Sequence, residues 1–382
     1  MVERPDVVHM TSVHSPEDIR IFHKEAVGLA RAGFRVCLVA TGEKDELRQG
    51  VMLLSVPKTR TKRSRIPVAN ILRRAVGTGF RVFLRAWASK ARIVHYHDPE
   101  LAPYALLLKV FGRRTVVKDA HEDFPKQIHS KPYIPDALKR VVAGAAWIME
   151  RAACLSADIV VAATPAIAES FPAGKTIVVQ NFPLLGELAT STPTAICDRP
   201  PWIAYVGGIT RIRSACEMVE AIGKVVYPGA RLKMAGAFEQ TGLRERLGNA
   251  PGATRMDALG TLPRWAVADL LGHCRLGLVL YHPLPNHIEA QPNKLFEYMS
   301  AGIPVIASDF PLWRQLVEGV GCGILVDPLD PSAIAVAIDH LLAHPVEAEV
   351  MGRRGQEAVL ARFNWGSEEK KLLEIYRRLI CG

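Results

Sequence analysis

At 382 residues the chain is too long for one ordinary hydrophobic core and suits two domains. Hydrophobic residues make up 49% and charged residues 23%, which reads as globular, and no run of about 18 uncharged apolar residues is present to cross a bilayer. The formal net charge of +10 is local: no acidic residue lies between Glu46 and Asp98, a window holding Arg48, Lys58, Arg60, Lys62, Arg63, Arg65, Arg73, Arg74, Arg81, Arg85, Lys90 and Arg92.

The opening MVERPDVVHMTS carries acids and no long apolar stretch, so it does not read as a signal peptide. DVVHM (6–10) predicts a first strand, and PEDIRIFHKEAVGLARAGF predicts a helix ending at Gly33. RVCLVA (35–40), IVHYH (93–97), TVVKDA (115–120), DIVVAA (158–163) and TIVVQN (176–181) continue the strands, with helical patterns between several of them. This βαβ rhythm predicts a parallel sheet with helices on both faces. The stretch ELATSTPTAICDRPP (187–201), rich in Thr and Pro, breaks it and reads as a linker. A second series follows: WIAYVG (202–207), RLKMAG (231–236), LGLVLY (276–281), IPVIAS (303–308) and GILVD (323–327). SEEKKLLEIYRRLICG is an amphipathic helix. The expected organisation is an N-terminal Rossmann-like domain over 1–187, a linker over 188–201, a C-terminal domain over 202–365, and a helix over 366–382 that packs back on the N-terminal domain. Ligands of doubly wound sheets bind beyond the carboxyl ends of the strands, so two such α/β domains imply a cleft between them. The seven cysteines are scattered without a Cys-x-x-Cys pair and read as reduced thiols of a cytoplasmic protein.

Neither domain carries GxGxxG after its first strand or a GxxxxGK[ST] loop, which disfavours ordinary dinucleotide and P-loop chemistry. No Asp-x-Asp occurs, and no His/Cys cluster has metal-ligand spacing, so nothing calls for a bound metal. The most informative stretch is HIEAQPNKLFEYMSAGIPVIAS, residues 287–308. Pro292 and Asn293 read as a helix start with Asn as the cap, and Gly302 and Pro304 stop the helix. Free backbone N–H groups around Lys294 and Leu295, with the Lys294 ammonium, would seat a diphosphate. Glu289 precedes this start and Glu297 lies one turn inside it. Two carboxylates beside a diphosphate seat suit a nucleotide sugar, because carboxylates accept bonds from sugar hydroxyls. For an isolated pair, a charged loop and an exposed helix residue would be the better explanation; the helix start, the position after a strand and the following strand IPVIAS favour the site.

This stretch resembles the glutamate pair of the family 4 glycosyltransferases, which have the GT-B fold. TSVHSPEDIRIFHKEAVGLARAGFRV is similar to their N-terminal segment, and VHYHDPELAPYALLLKVFGRRTVVKDAHEDFP resembles a subgroup that builds bacterial surface polysaccharides, including lipopolysaccharide. NKLFEYMSAGIPVIASDFPLWRQLVEGVGCGILVDPLDP carries the resemblance most specifically. It implies retaining transfer of a sugar from a nucleotide-diphosphate donor to a glycan or lipid-linked acceptor, with no cofactor and no metal, by a hexosyltransferase-type enzyme. Glu297 would bind the donor ribose, and Glu289 would contact the sugar ring near the anomeric centre. In YVGGITRIRS (205–214), Gly207 and Gly208 let the backbone approach a phosphate. Gly208 stands where the family often has Arg, and Arg213 where it often has Lys. Arg211 is a second basic candidate, so the arginine that binds the diphosphate stays open.

His95 and His97 end one strand and His121 ends the next. The resemblance points to His121 and His97 as catalytic-site groups that bond the transferred sugar or the acceptor, with His95 left as core. Ser12 and His14 would line the acceptor side. In the basic window, Arg74, Arg81, Arg85 and Arg92 fall within about 40° on a helical wheel, opposite Leu72, Val76, Phe80, Phe83 and Trp87. The pattern fits a sheet-covering helix with a wet basic face, or contact with an anionic membrane joined by the loop KTRTKRSR (58–65). No nucleic-acid motif is present. The family's lipid-linked acceptors favour the membrane, giving a cytoplasmic protein peripheral to the inner face of the plasma membrane. A nucleotide-sugar epimerase or phosphorylase, or a non-catalytic nucleotide-sugar-binding subunit of the same fold, is the alternative.

Overall fold

A computed structural model describes residues 4–59, 73–121, 136–188 and 194–381. The chain forms two compact units, Met1–Asn181 with Ser367–Gly382, and Phe182–Gly366.

The first unit is built on an eight-stranded sheet in the order β3-β4-β2-β1-β5-β6-β7-β8. Its strands are β1 (Val7–Met10), β2 (Val36–Thr41), β3 (Glu46–Arg48), β4 (Val51–Val56), β5 (Ile93–Tyr96), β6 (Thr115–Ala120), β7 (Ile159–Ala162) and β8 (Thr176–Val178). All neighbouring pairs run parallel except β3 with β4. The residues of β1 and β5 are buried throughout, as expected of parallel strands covered on both faces. The strand order reverses between β1 and β5, so the loops after these two strands diverge and leave a crevice at their carboxyl ends.

Two strands of this sheet escape the sequence pattern. β4 follows directly on β3 through Gln49 and Gly50, at φ 49° and 82°. Two positive φ values give a tight hairpin turn whose twist suits antiparallel strands. The hairpin adds β4 beside β2 and leaves the short, polar β3 as the edge.

The helix Phe80–Ser89 also departs from expectation. Val82 and Ala86 turn to the core, while Val76, Phe80, Leu84 and Trp87 are exposed. The arginine face is engaged with protein groups: Arg74 donates to Glu100, Arg81 to the Pro57 carbonyl, and Arg85 pairs with Asp45. Val82 and Ala86 therefore meet the core with Phe83 packed beside them, and Val76, Phe80, Leu84 and Trp87 face outward. Residues 60–65 of the basic loop, and Leu72, lie outside the described residues.

The helix Trp365–Cys381 joins the first unit from Ser367 onward. Its Tyr376 is fully buried there, with the hydroxyl 2.7 Å from His95 Nδ1. Glu368 accepts the Gln180 N–H at 2.9 Å.

The second unit carries six parallel strands in the order β11-β10-β9-β12-β13-β14. They are β9 (Trp202–Val206), β10 (Arg231–Ala235), β11 (Met256–Gly260), β12 (Leu276–Val279), β13 (Val305–Ser308) and β14 (Gly323–Val326). β11, with the sequence MDALG, has no β-branched residue, which hides it from a sequence pattern. The order reverses between β9 and β12, placing a second crevice there.

One close approach positions that crevice. A Cβ on Gly277 would lie 2.3 Å from the Tyr298 ring, so only glycine lets the ring lie on β12. Tyr298 Oη in turn accepts the Val206 N–H at 2.8 Å and holds the end of β9. Gly277→Ala should destabilise the chain by about 1–3 kcal/mol, because a rigid ring cannot swing aside. Urea unfolding monitored by tryptophan fluorescence measures this; an unchanged midpoint would show that Tyr298 is free to move.

Candidate functional site

Beyond β9, Gly207 adopts φ +126°, a conformation side chains rarely tolerate. A Cβ on Gly236 would fall 1.9 Å from the Gly207 carbonyl oxygen, so the backbones after β9 and β10 touch. The helix Asn293–Ser300 delivers Lys294 to the same place, with Nζ 3.4 Å from the position of a Gly207 Cβ. The Lys294 side chain is buried, and its ammonium has no hydrogen-bond acceptor. Instead it lies 4.0 Å from the Tyr205 ring centre and 5.3 Å from that of Tyr281. Burial, and after it the nearby charge of Arg213, pushes the Lys294 pKa well below the ordinary lysine value.

Arg213 donates to the Gly208 carbonyl at 3.2 Å and stands 3.9 Å from Glu239. Two cations thus converge on the Gly207–Gly208 backbone at the crevice of the second sheet. Arg211 shares the turn but is exposed, and its N–H donates to Gln240 Oε1 at 3.1 Å.

Glu297 Oε1 accepts from Arg264 at 2.9 Å, and Arg264 also donates to Glu187 at 2.7 Å. Arg264 is a partner the sequence does not announce. Glu289 is exposed, just past the turn Pro285–Ile288. Its loop is tied down by Trp313 Nε1, which donates to the Ala290 carbonyl at 2.7 Å.

The helix start differs from expectation. Pro292 is the cap and Asn293 the first helical residue, with no side-chain capping bond. Proline lacks an N–H and is fixed near its observed φ of −71°, which suits the entry to a helix. The Leu295 N–H is also taken, donating to the Pro292 carbonyl at 3.0 Å. The positive character of the site therefore rests on Lys294 and Arg213 rather than on a free Leu295 amide.

In the first unit, Asp119 near the end of β6 gathers the functional candidates. It accepts from Arg20 at 3.1 and 2.8 Å and lies 3.0 Å from His97 Nδ1 and 3.3 Å from His121 Nδ1. Burial opposes its ionisation, yet Arg20 and the histidine bonds hold its carboxyl well below the usual range. His121 is partly exposed, and its ring meets that of His14 edge-on at 5.2 Å. His14 sits 3.2 Å from Asp18 and 3.5 Å from Asp98, and the Asp18 bond raises its pKa. Ser12 is buried against Asp98 and Glu100.

His97 does not present itself to a substrate. It is 1% exposed, and its Nε2 lies 3.0 Å from His9 Nδ1, so both ring nitrogens are occupied within the protein. The strand end carries it inward because His97 shares the face of His95. Burial lowers its pKa to about 4, making it neutral at pH 7. The expectation that His97 bonds the sugar is therefore replaced by a buried link to Asp119. His9, Arg20, Glu25 and Asp119 went unnoticed in the sequence, because nothing in their spacing marks them as neighbours.

A profile described as "Glycosyl transferases group 1" matches residues 200–344, and one described as "Glycosyl transferase 4-like domain" matches residues 19–181. The chain belongs to the family 4-like glycosyltransferases of GT-B type. This member is 26% identical over 191 residues to the alpha-maltose-1-phosphate synthase of Mycolicibacterium smegmatis, covering 47% of this chain and 48% of that protein. It spans about half or less of the first curated relatives it matches. Among solved structures, sucrose-phosphate synthase from Thermosynechococcus elongatus superposes with a TM-score of 0.80 at 19% identity, covering 99% of this chain and 100% of that one. HepE of Anabaena in complex with UDP-glucose superposes with a TM-score of 0.74 at 14% identity, covering 97% and 99%. These likenesses show the fold.

Replacing Lys294 with Met should stabilise the ligand-free chain by on the order of 1 kcal/mol, about 2–4 °C in melting temperature. The depressed pKa sets the sign. Below it the folded chain holds a buried charge that the unfolded chain solvates, so the variant's advantage is full there. It shrinks as pH rises toward 10.5, where the unfolded lysine also loses its proton. Scans from pH 6 to 10 check this; a destabilised variant at every pH would mean that the cation–π contacts outweigh burial.

Proposed function

We propose that this chain is a retaining glycosyltransferase that moves one sugar from a nucleotide-diphosphate sugar to a glycan or lipid-linked acceptor in cell-surface polysaccharide synthesis. The observation that carries the reading is Lys294: a buried ammonium with no hydrogen-bond acceptor, beside Gly207, Gly208 and Arg213 at the crevice of the second sheet. A diphosphate supplies the missing acceptor. The crystallised complex of HepE with UDP-glucose, a protein of the same fold, supports a nucleotide sugar as the donor.

In this reading Arg213 and Lys294 hold the diphosphate against the Gly207–Gly208 backbone, and their two charges serve where other enzymes place a metal. Glu297, oriented by Arg264, accepts from the ribose hydroxyls, and Glu289 contacts the sugar near its anomeric carbon. The bond from that carbon to the phosphate oxygen breaks as the acceptor oxygen bonds on the same face. The acceptor proton passes to the departing phosphate. Catalysis is then mostly positioning and stabilisation of the leaving charge. In the first unit, Asp119 fixes Nδ1 of His121, leaving Nε2 for the transferred sugar or the acceptor, and His97 stiffens Asp119 from behind.

Contact with an anionic membrane at the inner face of the plasma membrane completes the proposal. No helix among the described residues is long and apolar enough to cross a membrane. The exposed Val76, Phe80, Leu84 and Trp87 stand beside a helix, Ala102–Val110, whose Leu106, Leu107 and Val110 are also exposed. Phe80 and Phe83 contact Tyr104 of that helix, which joins the two into one apolar surface.

Thermal shift against UDP-, GDP-, ADP- and CMP-sugars, with and without EDTA, tests the donor site. One nucleotide should shift the melting temperature irrespective of EDTA, and Glu297→Gln should weaken that donor about tenfold. Unchanged affinity in the variant would remove the ribose assignment, and turnover of free donor without an acceptor would point to an epimerase. Separately, Phe80→Ser with Trp87→Ser should reduce sedimentation with anionic liposomes severalfold. Full retention by the double variant would exclude this face as the contact.

A further inference from the structure

The buried centre of the first unit holds a second constellation, joined to the transfer site only through the bond from His97 to Asp119. His9 on β1 stands opposite His95 on β5 in the sheet register, and His97 follows on the same face. Glu25 descends on them from the π-helical segment Ile19–Ala26. All four are buried. Glu25 Oε2 lies 3.9 Å from His9 Nδ1, 3.8 Å from His95 Nδ1 and 4.0 Å from His97 Nε2. These separations are too long for hydrogen bonds, and neither carboxylate oxygen of Glu25 has a hydrogen-bond partner. The cation beside it is Arg20, 3.1 Å from Oε1.

We propose that His9, Glu25, His95 and His97 form a binding site for a divalent transition-metal ion, zinc being the best fit. Three imidazoles and one carboxylate are a zinc donor set. A tetrahedral ion with bonds of about 2.0–2.1 Å spaces its ligand atoms about 3.3 Å apart. The three carboxylate-to-nitrogen separations lie just outside that value, and the 3.0 Å between His9 Nδ1 and His97 Nε2 lies just inside it. All four donor atoms lie within 4.8 Å of one another, so an ion at the centre draws the longer pairs together and lets His9 and His97 part slightly.

The surroundings repeat a second feature of metal centres. His97 turns its other nitrogen, Nδ1, to the Asp119 carboxylate at 3.0 Å, and Asp119 is in turn held by Arg20. A carboxylate behind a ligating imidazole fixes its tautomer and raises its basicity. Arg20 lies between Asp119 and Glu25, 3.1 Å from Glu25 Oε1, so its one charge is shared by two carboxylates. The Nε2 atoms of His9 and His95 would carry the ring protons. The Tyr376 hydroxyl, 2.7 Å from His95 Nδ1, borders the same space; ligation by that nitrogen breaks this bond or draws the phenol oxygen into the shell. The ion would tie β1, β5 and the segment Ile19–Ala26 together, a role in stability rather than in transfer.

The test is the metal content of the full chain, purified without chelator and equilibrated with micromolar free Zn²⁺ before dialysis. Elemental mass spectrometry should find about one zinc per chain, and exchange for Co²⁺ should give the intense visible bands of a tetrahedral centre. Glu25→Gln should lose the ion, while His344→Ala, in the surface group His340, His344 and Glu347, should keep it. Wild-type protein that retains no zinc overturns the proposal, and so does zinc lost from His344→Ala but kept by Glu25→Gln. The wild-type measurement stands even where Glu25→Gln fails to fold.

Discussion

Burying an ammonium with nothing to accept its protons is the constraint around which the second unit is arranged. Lys294 lies against the ring faces of Tyr205 and Tyr281 and beside the backbone of Gly207. Gly207 can hold its φ only while Gly236 lets the neighbouring backbone close in. The end of β9 keeps its place through the Tyr298 hydroxyl, and Tyr298 keeps its own through the absent side chain of Gly277. Gly277 makes room for a ring, Gly236 for a backbone and Gly207 for a positive φ, and the three lead to one buried side chain without a hydrogen-bond acceptor. That arrangement sacrifices stability in the free protein for readiness toward an anion.

The first unit solves a related problem differently. Its buried charges are matched: Arg20 forks onto Asp119, and Asp119 takes both His97 and His121. His14 and His121 reach the surface side by side, with Asp18 next to His14. The rest is an interior scaffold that fixes which nitrogen of His121 faces outward. Glu25 shares Arg20 with Asp119 and stands among imidazoles that do not quite reach it.

The two doubly wound sheets were legible because parallel strands buried on both faces leave apolar runs, as in VCLVA and LGLV. β3, β4 and β11 were not: β4 lies directly after a two-residue turn, and β11 lacks β-branched residues. Glu289, Lys294 and Glu297 stood out because one short stretch contains them all. Arg264, which bonds Glu297, lies 33 positions away, and no local pattern marks it. His97 was read as facing a ligand because strand ends do so in this fold class, but the register that pairs His9 with His95 turns it inward. The helical wheel separated the arginines from the apolar residues of the helix Phe80–Ser89 correctly, and the arginines are exposed, but most of the large apolar residues are exposed as well. A wheel finds two faces and does not say which one meets the sheet; here the narrow stripe of Val82 and Ala86 does.

The position of Tyr376 has a consequence for how the polypeptide acquires its structure. Its ring fills the interior of a unit whose other residues end at Asn181. A ribosome therefore releases all eight strands of the first sheet, and then the whole second unit, before that interior can be sealed. During this interval His95 lacks its Tyr376 neighbour. The second unit, continuous from Phe182 to Gly366, has all its residues before Tyr376 emerges. Synthesis order and completion order are thus reversed: the unit made first is finished last.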